Sequence, residues 1–171
     1  MTPEFSRSFR LDEIGATPLS VAIEANEEEC AALAQRFALL DITALSATAQ
    51  IKTRDHQYVA EGSFKAQVTQ ACVVTGERVP AKLNQRFKLR FIDELAAAPT
   101  PELELNFDGY DDMPLSGETI DLGEAVAQSV LLALEPFPRG PNAARHLREA
   151  GVIAEGEEPR GAFAGLKNLL G

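Results

Sequence analysis

The chain has 171 residues, a formal net charge of −10, and 45% hydrophobic against 25% charged residues. This balance suits one soluble domain that buries roughly 70% of its unfolded surface, and the acidity argues against indiscriminate binding to nucleic acid. The N-terminus MTPEFSRSFRLDEIG lacks the charged-then-apolar layout of a signal peptide, and the longest apolar run, AVAQSVLLAL, is too short to span a bilayer; a cytoplasmic location with no membrane partner is expected.

In chain order, FSRSFRL and PLSVAIEA read as strands, the second alternating Leu19, Val21 and Ile23 with Ser20, Ala22 and Glu24. Asn26 offers a helix N-cap followed by Glu27, Glu28 and Glu29, which favour the positive end of the helix dipole, and the helix is predicted to run to about Leu39. Cys30, Leu33 and Phe37 form its buried stripe, so Cys30 is read as core.

Three antiparallel strands are predicted next, over Leu45–Arg54, Gln57–Ala71 and Val79–Ile92, with turns near Asp55-His56 and Thr75-Gly76. Phe87, Leu89 and Phe91 alternate with Arg86, Lys88 and Arg90, and Phe64, Ala66 and Val68 with Lys65, Gln67 and Thr69, as on a sheet with one wet face. DELAAAPTPELELNFDGYDDMPLSGE reads as an acidic loop with one short strand at Leu103–Phe107. Asp121 and Glu124 have capping-box spacing and open the helix DLGEAVAQSVLLALEP, striped by Leu122, Val126, Ser129 or Val130, and Ala133 and stopped by Pro136. A short ARHLREAG helix, an acidic linker and an amphipathic end, AFAGLKNLLG, complete the chain. The predicted fold class is α+β: an antiparallel sheet, open or barrel-like, covered by one or two helices, with an acidic loop and a C-terminal tail. Residues 1–150 are assigned to a single domain and 151–171 to a linker and short amphipathic segment.

Chemistry-bearing patterns are few. A structural zinc site needs four Cys or His ligands, but Cys72 has no nearby thiol partner and His56 and His146 are isolated, so no metal or other cofactor is expected. No nucleophile elbow, phosphate-binding glycine loop or H-E-x-x-H occurs, and no catalytic residue is assigned. The one directional constellation is electrostatic. Ile51 to Ile92 carries eight Lys or Arg against three acids inside an otherwise acidic chain. Lys52, Arg54, Lys65, Arg86, Lys88 and Arg90, projecting from adjacent strands, are candidate phosphate contacts, A-form RNA being recognised largely by shape and backbone. A solvated sheet face also carries such cations merely to stay soluble. Phe163, Leu166 and Leu169, at helical spacing in the C-terminal segment, are candidates for docking on a partner or back on the domain.

The succession of a β region ending in ACVVTGERV, an acidic loop, the segment IDLGEAVAQSVLLALEPFPR and a terminal RGAFAGLKNLL resembles the YceD family of bacterial and plastid proteins, associated with accumulation of 23S ribosomal RNA. Many members carry C-x-x-C-G at the hairpin and a second cysteine pair after the helix. Here Cys72 matches the first position, Thr75 stands at the second, and EPFPRGPNAA has no cysteine. Zinc-dependent roles are therefore not carried over, and the turn is expected to hold its shape with Gly76 at positive φ. The resemblance implies a non-enzymatic accessory factor in ribosome biogenesis whose partner is 23S rRNA or a large-subunit assembly or processing protein. The alternative is an acidic adaptor that docks on a ribosomal protein or rRNA-processing enzyme without touching RNA.

Overall fold

The computed structural model describes residues 3–54, 56–93, 109–115 and 117–152. The chain divides into two compact units, Met1–Gln70 with Pro80–Pro136, and Ala71–Val79 with Phe137–Gly171.

The first unit is built on an open five-stranded sheet. Its strands are β2 (Leu19–Glu24), β3 (Asp41–Arg54), β4 (Gln57–Ala71), β5 (Arg78–Asp93) and β6 (Asp111–Leu115), in that spatial order. The β2–β3 and β3–β4 pairs are antiparallel, with Val21 opposite Ala49 and Ala49 opposite Gly62. β6 joins the far edge parallel to β5, with Arg90 opposite Asp112 and Ile92 opposite Pro114. A separate two-stranded sheet pairs β1 (Ser8–Arg10) with β7 (Thr119–Asp121). The predicted alternation holds: Leu45, Ala47, Ala49 and Ile51 of β3, Phe64, Ala66 and Val68 of β4, and Phe87, Leu89 and Phe91 of β5 are all buried in one cluster.

Two helices supply the other half of that cluster. In α1 (Glu27–Arg36), Asn26 accepts from the Glu29 N–H while Glu29 accepts from the Asn26 N–H, completing a capping box, and Cys30, Leu33 and Ala34 are buried. In α2 (Leu122–Ala133), Leu122, Val126 and Val130 are fully buried, as the stripe predicts. Arg36 ties the two helices, donating to both carboxylate oxygens of Glu124 at 2.7 and 2.8 Å and to Glu4 at 2.9 Å.

α1 stops at Arg36, three residues short of the sequence-based end. The capping residue Phe37 is followed by Ala38 at φ +53°, and the Leu39 N–H reaches back to the Ala34 carbonyl. This is the left-handed helix stop usually made by glycine, adopted here without one. The predicted strand at 103–107 lies outside the described residues. β6, however, falls within what the sequence assigns to an acidic loop, and its pairing with β5 spans a connection too long for local patterning to reveal.

The N-terminal segment is fastened by Asp121. Its carboxylate accepts from the Ser6 hydroxyl at 2.6 Å and the Arg7 N–H at 2.8 Å, and it also caps α2 by accepting from the Glu124 N–H at 3.1 Å. Arg7 in turn makes a two-pronged ion pair with Glu29 at 2.7 and 2.9 Å.

Two stability changes follow. Asp121→Ala removes the cap and both segment contacts together, and should lower unfolding free energy by about 1–3 kcal/mol in a denaturant titration. Ala38→Gly removes the positive-φ penalty and should raise it by about 0.5–1 kcal/mol in the same titration.

Candidate nucleic-acid interface

The face of the sheet opposite the core is where the sequence places its cations. Facing residues on paired antiparallel strands share a side, so two polar rows cross it. Ser20 stands opposite Gln50, which is opposite Glu61; Ala22 stands opposite Thr48, which is opposite Ser63. A groove of about 710 Å³ is sunk into these rows, with Arg86 and Lys88 of β5 along its far side. Gly62 lies in its lining: a Cβ there would collide with the Thr48 carbonyl and with the Phe87 ring, so only glycine lets β3, β4 and that ring approach so closely.

The six predicted cations do not form one uniform field. Arg90 is committed to β6: its Nε and Nη2 donate to the two carboxylate oxygens of Asp112 at 2.7 and 2.9 Å, leaving its side chain 18% exposed. Lys52 Nζ lies 4.0 Å from Glu61. The Glu61 carboxylate also accepts from the Tyr110 hydroxyl, which holds its pKa below the usual range against the cost of burial, with the positive charges of Lys52, Lys88 and Arg54 adding to the effect. The Tyr110 hydroxyl is correspondingly pushed up, first by that same hydrogen bond. Lys88 is exposed and reaches the face of the Tyr110 ring, its Nζ 5.7 Å from the centroid. Lys65 and Arg86 are exposed.

The cations of this face therefore fall into two groups. Lys52, Arg54 and Arg90 engage Glu61, Tyr110 and Asp112, whereas Lys65, Arg86 and Lys88 are exposed, Arg86 and Lys88 beside the groove and Lys88 also against Tyr110. Sequence reasoning missed Tyr110, the aromatic group of this face, because it sits next to β6 in the stretch read as loop. The candidates Phe163, Leu166 and Leu169 lie outside the described residues.

The second unit is the turn that follows β4. The Gly76 N–H bonds the Cys72 carbonyl at 2.8 Å, Gly76 adopts φ +73° as expected, and the Val73 N–H bonds the Pro138 carbonyl at 2.9 Å. Cys72 is 3% exposed, and its sulfur accepts from the backbone N–H groups of Gly140 at 3.3 Å and Thr75 at 3.4 Å. Those bonds, Gly140's foremost, lower the thiol pKa to about 7. Nearby, Glu77 accepts from the Asn142 side chain at 3.0 Å and its backbone N–H at 3.3 Å, so close to Gly140 that any Cβ at 140 would strike the carboxylate. Among the described residues no group of three or more His, Cys, Asp or Glu is placed to hold a metal ion.

A family model described as Large ribosomal RNA subunit accumulation protein YceD matches residues 60–170. The chain belongs to this family. No curated protein and no solved structure matches it. The matched span takes in most of β4, all of β5, β6, β7 and α2, and the Cys72 turn, and with them Lys65, Arg86, Lys88 and Arg90; Lys52 and Arg54 precede it. The YceD description ties the family to the large ribosomal RNA subunit. No helix among the described residues is long and apolar enough to cross a membrane, a statement that does not extend to strands.

The two thiols should titrate separately. Burial, foremost, raises Cys30 above its ordinary value of 9.0, while Cys72 falls to about 7. Thiolate absorbance of the folded protein should rise in two steps, and Cys72→Ala should delete the lower one. A depressed folded pKa adds stability above the unfolded thiol's pKa and loses it as pH falls through the folded value. The melting-temperature gap between the native chain and Cys72→Ala should therefore shrink from about pH 9 to about pH 7.

Proposed function

We propose that the chain is a non-enzymatic, cytoplasmic accessory factor that supports accumulation of large-subunit ribosomal RNA by binding rRNA phosphates on the sheet's solvated face, around Lys65, Arg86 and Lys88. The observation that carries this reading is the concentration of Lys65, Arg86 and Lys88 on a face of small polar side chains, Arg86 and Lys88 beside its groove, in a molecule whose net charge is −10. Family membership supports the rRNA connection. The acidity of the remaining surface supports selectivity, since repulsion elsewhere confines a polyanion to the one cationic area.

The structure also sharpens the choice of variant. Reversing Arg90 would set a carboxylate against Asp112 and disturb β6, so loss of binding in such a variant would not distinguish a contact from damage. Arg86 is exposed and suits reversal; Lys88 is exposed but reaches Tyr110 and acts on Glu61, so it is neutralised to alanine rather than reversed.

A second reading is a protein adaptor that never touches RNA, docking on a basic ribosomal protein or an rRNA-processing enzyme. Its specific support is in the second unit, where Val73 is 55% and Phe137 is 69% exposed, with Val73 hydrogen-bonded to the adjoining Pro138. Residues 161–171, with Phe163, Leu166 and Leu169, would add an apolar anchor.

Arg86→Glu with Lys88→Ala should weaken binding to 23S rRNA fragments by at least about tenfold with the fold retained by circular dichroism, each lost charged contact being worth about 1 kcal/mol or more. For three phosphate contacts on single-stranded RNA, log affinity should fall with log salt at a slope of about −2. Unchanged affinity in the double variant would remove this site. Partners released by nuclease would support direct RNA contact, whereas nuclease-resistant capture lost on deleting residues 161–171 would favour the adaptor.

A further inference from the structure

We infer that the groove is a site for one strand of RNA, with the phosphates on the β5 side and the riboses turned toward β2 and β3. This inference rests on the phosphate-binding reading above and names the form of nucleic acid that the site takes.

The argument comes from the asymmetry of the groove. On its β5 side stand two cations, Arg86 and Lys88. On the opposite side, β2 and β3 contribute Ser20, Thr48 and Gln50, which are neutral hydrogen-bonding groups. β4 runs between them and carries Ser63 and the Glu61 carboxylate on either side of Gly62. The span from β2 to β5 is three inter-strand spacings, about 14 Å. A duplex presents two ridges of phosphate and is held best by cations on both flanks. A single strand presents phosphates along one edge and sugar and base groups along the other, which matches one charged side and one neutral side.

Glu61 strengthens the assignment. A carboxylate in the middle of the groove repels a phosphate placed over β4 and directs the backbone to the Arg86 and Lys88 side. The same carboxylate can accept a hydrogen bond from a hydroxyl, and Gln50 directly opposite and Ser63 two residues along β4 can accept or donate one. The ribose 2′-hydroxyl is both donor and acceptor and is the group that separates RNA from DNA at a site of this kind. Among the described residues the only aromatic side chain in the lining is Phe87, which is buried, and the Tyr110 ring beside Lys88 is taken up by that cation. Affinity is therefore expected from backbone contacts more than from base stacking, and the site should tolerate many sequences.

The test uses the full chain and fluorescence anisotropy with three labelled probes of one mixed sequence: a short single-stranded RNA, its RNA duplex, and the matching single-stranded DNA. Single-stranded RNA should bind about tenfold more tightly than either competitor, the value of one or two directed hydrogen bonds or a cation on the correct side. Arg86→Glu should weaken all three probes. Gln50→Leu with Ser63→Ala should weaken RNA by about three- to tenfold and leave DNA unchanged, because DNA has no hydroxyl to lose. Ser63→Ala alone, a minimal truncation on a solvated face, should show the same bias to a smaller degree if the double variant melts early. A duplex that binds as tightly as the single strand, or hydroxyl-side variants that weaken RNA and DNA equally, would overturn the single-strand assignment while leaving phosphate binding intact. Failure of every probe to bind at low salt would overturn the phosphate reading and this one with it.

Discussion

Three long neighbouring strands of 14 to 16 residues, β3, β4 and β5, alternate apolar and polar residues over much of their length, and everything else in the first unit is arranged around that alternation. A strand has a side-chain period of two, so one face must be buried once the other is charged. Burial brings in α1 and α2, whose stripes fill the same cluster as Leu45, Phe64, Phe87 and Leu89. The polar contacts of Arg36 in α1 with Glu124 in α2, and of Arg7 in the N-terminal segment with Glu29 in α1, then fix elements that hydrophobic packing already holds together. A slip of one residue in any of these strands would send its cations into the core, so the charged face and the fold are specified by the same pattern.

Much of this pattern was legible in the residues themselves. The extents of β4 and β5, the stripe of α2, the Asn26 and Asp121 caps and the buried Cys30 all depend on contacts within a turn or on strict periodicity, which short-range sequence carries. Three features were not legible for the opposite reason. The stop at Ala38 uses a conformation that the sequence usually signals with glycine. β6 pairs across a long connection, so no local period announces it. The ion pair of Arg90 with Asp112 and the cluster of Glu61, Tyr110 and Lys88 exist only once that pairing is made. A list of six cations therefore looked uniform in the sequence, although tertiary pairing divides them into neutralised and open groups.

The Cys72 turn shows how a sulfur can organise backbone without a partner sulfur. The N–H groups of Thr75 and Gly140 converge on it from two segments far apart in sequence, and Glu77 gathers Asn142 beside them. Hydrogen bonds to a thiolate are stronger than those to a thiol, so the pull on the Cys72 pKa and the cohesion of the turn are two expressions of the same contacts.

An open sheet with a solvated face ordinarily exposes the chain to edge-to-edge growth, because the last strand offers unpaired N–H and C=O groups to a neighbour. Among the described strands β2 forms one edge and β6 the other; β6 is only five residues long, with Asp111 and Asp112 at its start and Pro114, which has no N–H to give, within it. Those residues blunt the template while Asp112 anchors the strand through Arg90. The acidic strand thus works against fibrous stacking at one margin of the sheet, away from the groove sunk into its polar rows.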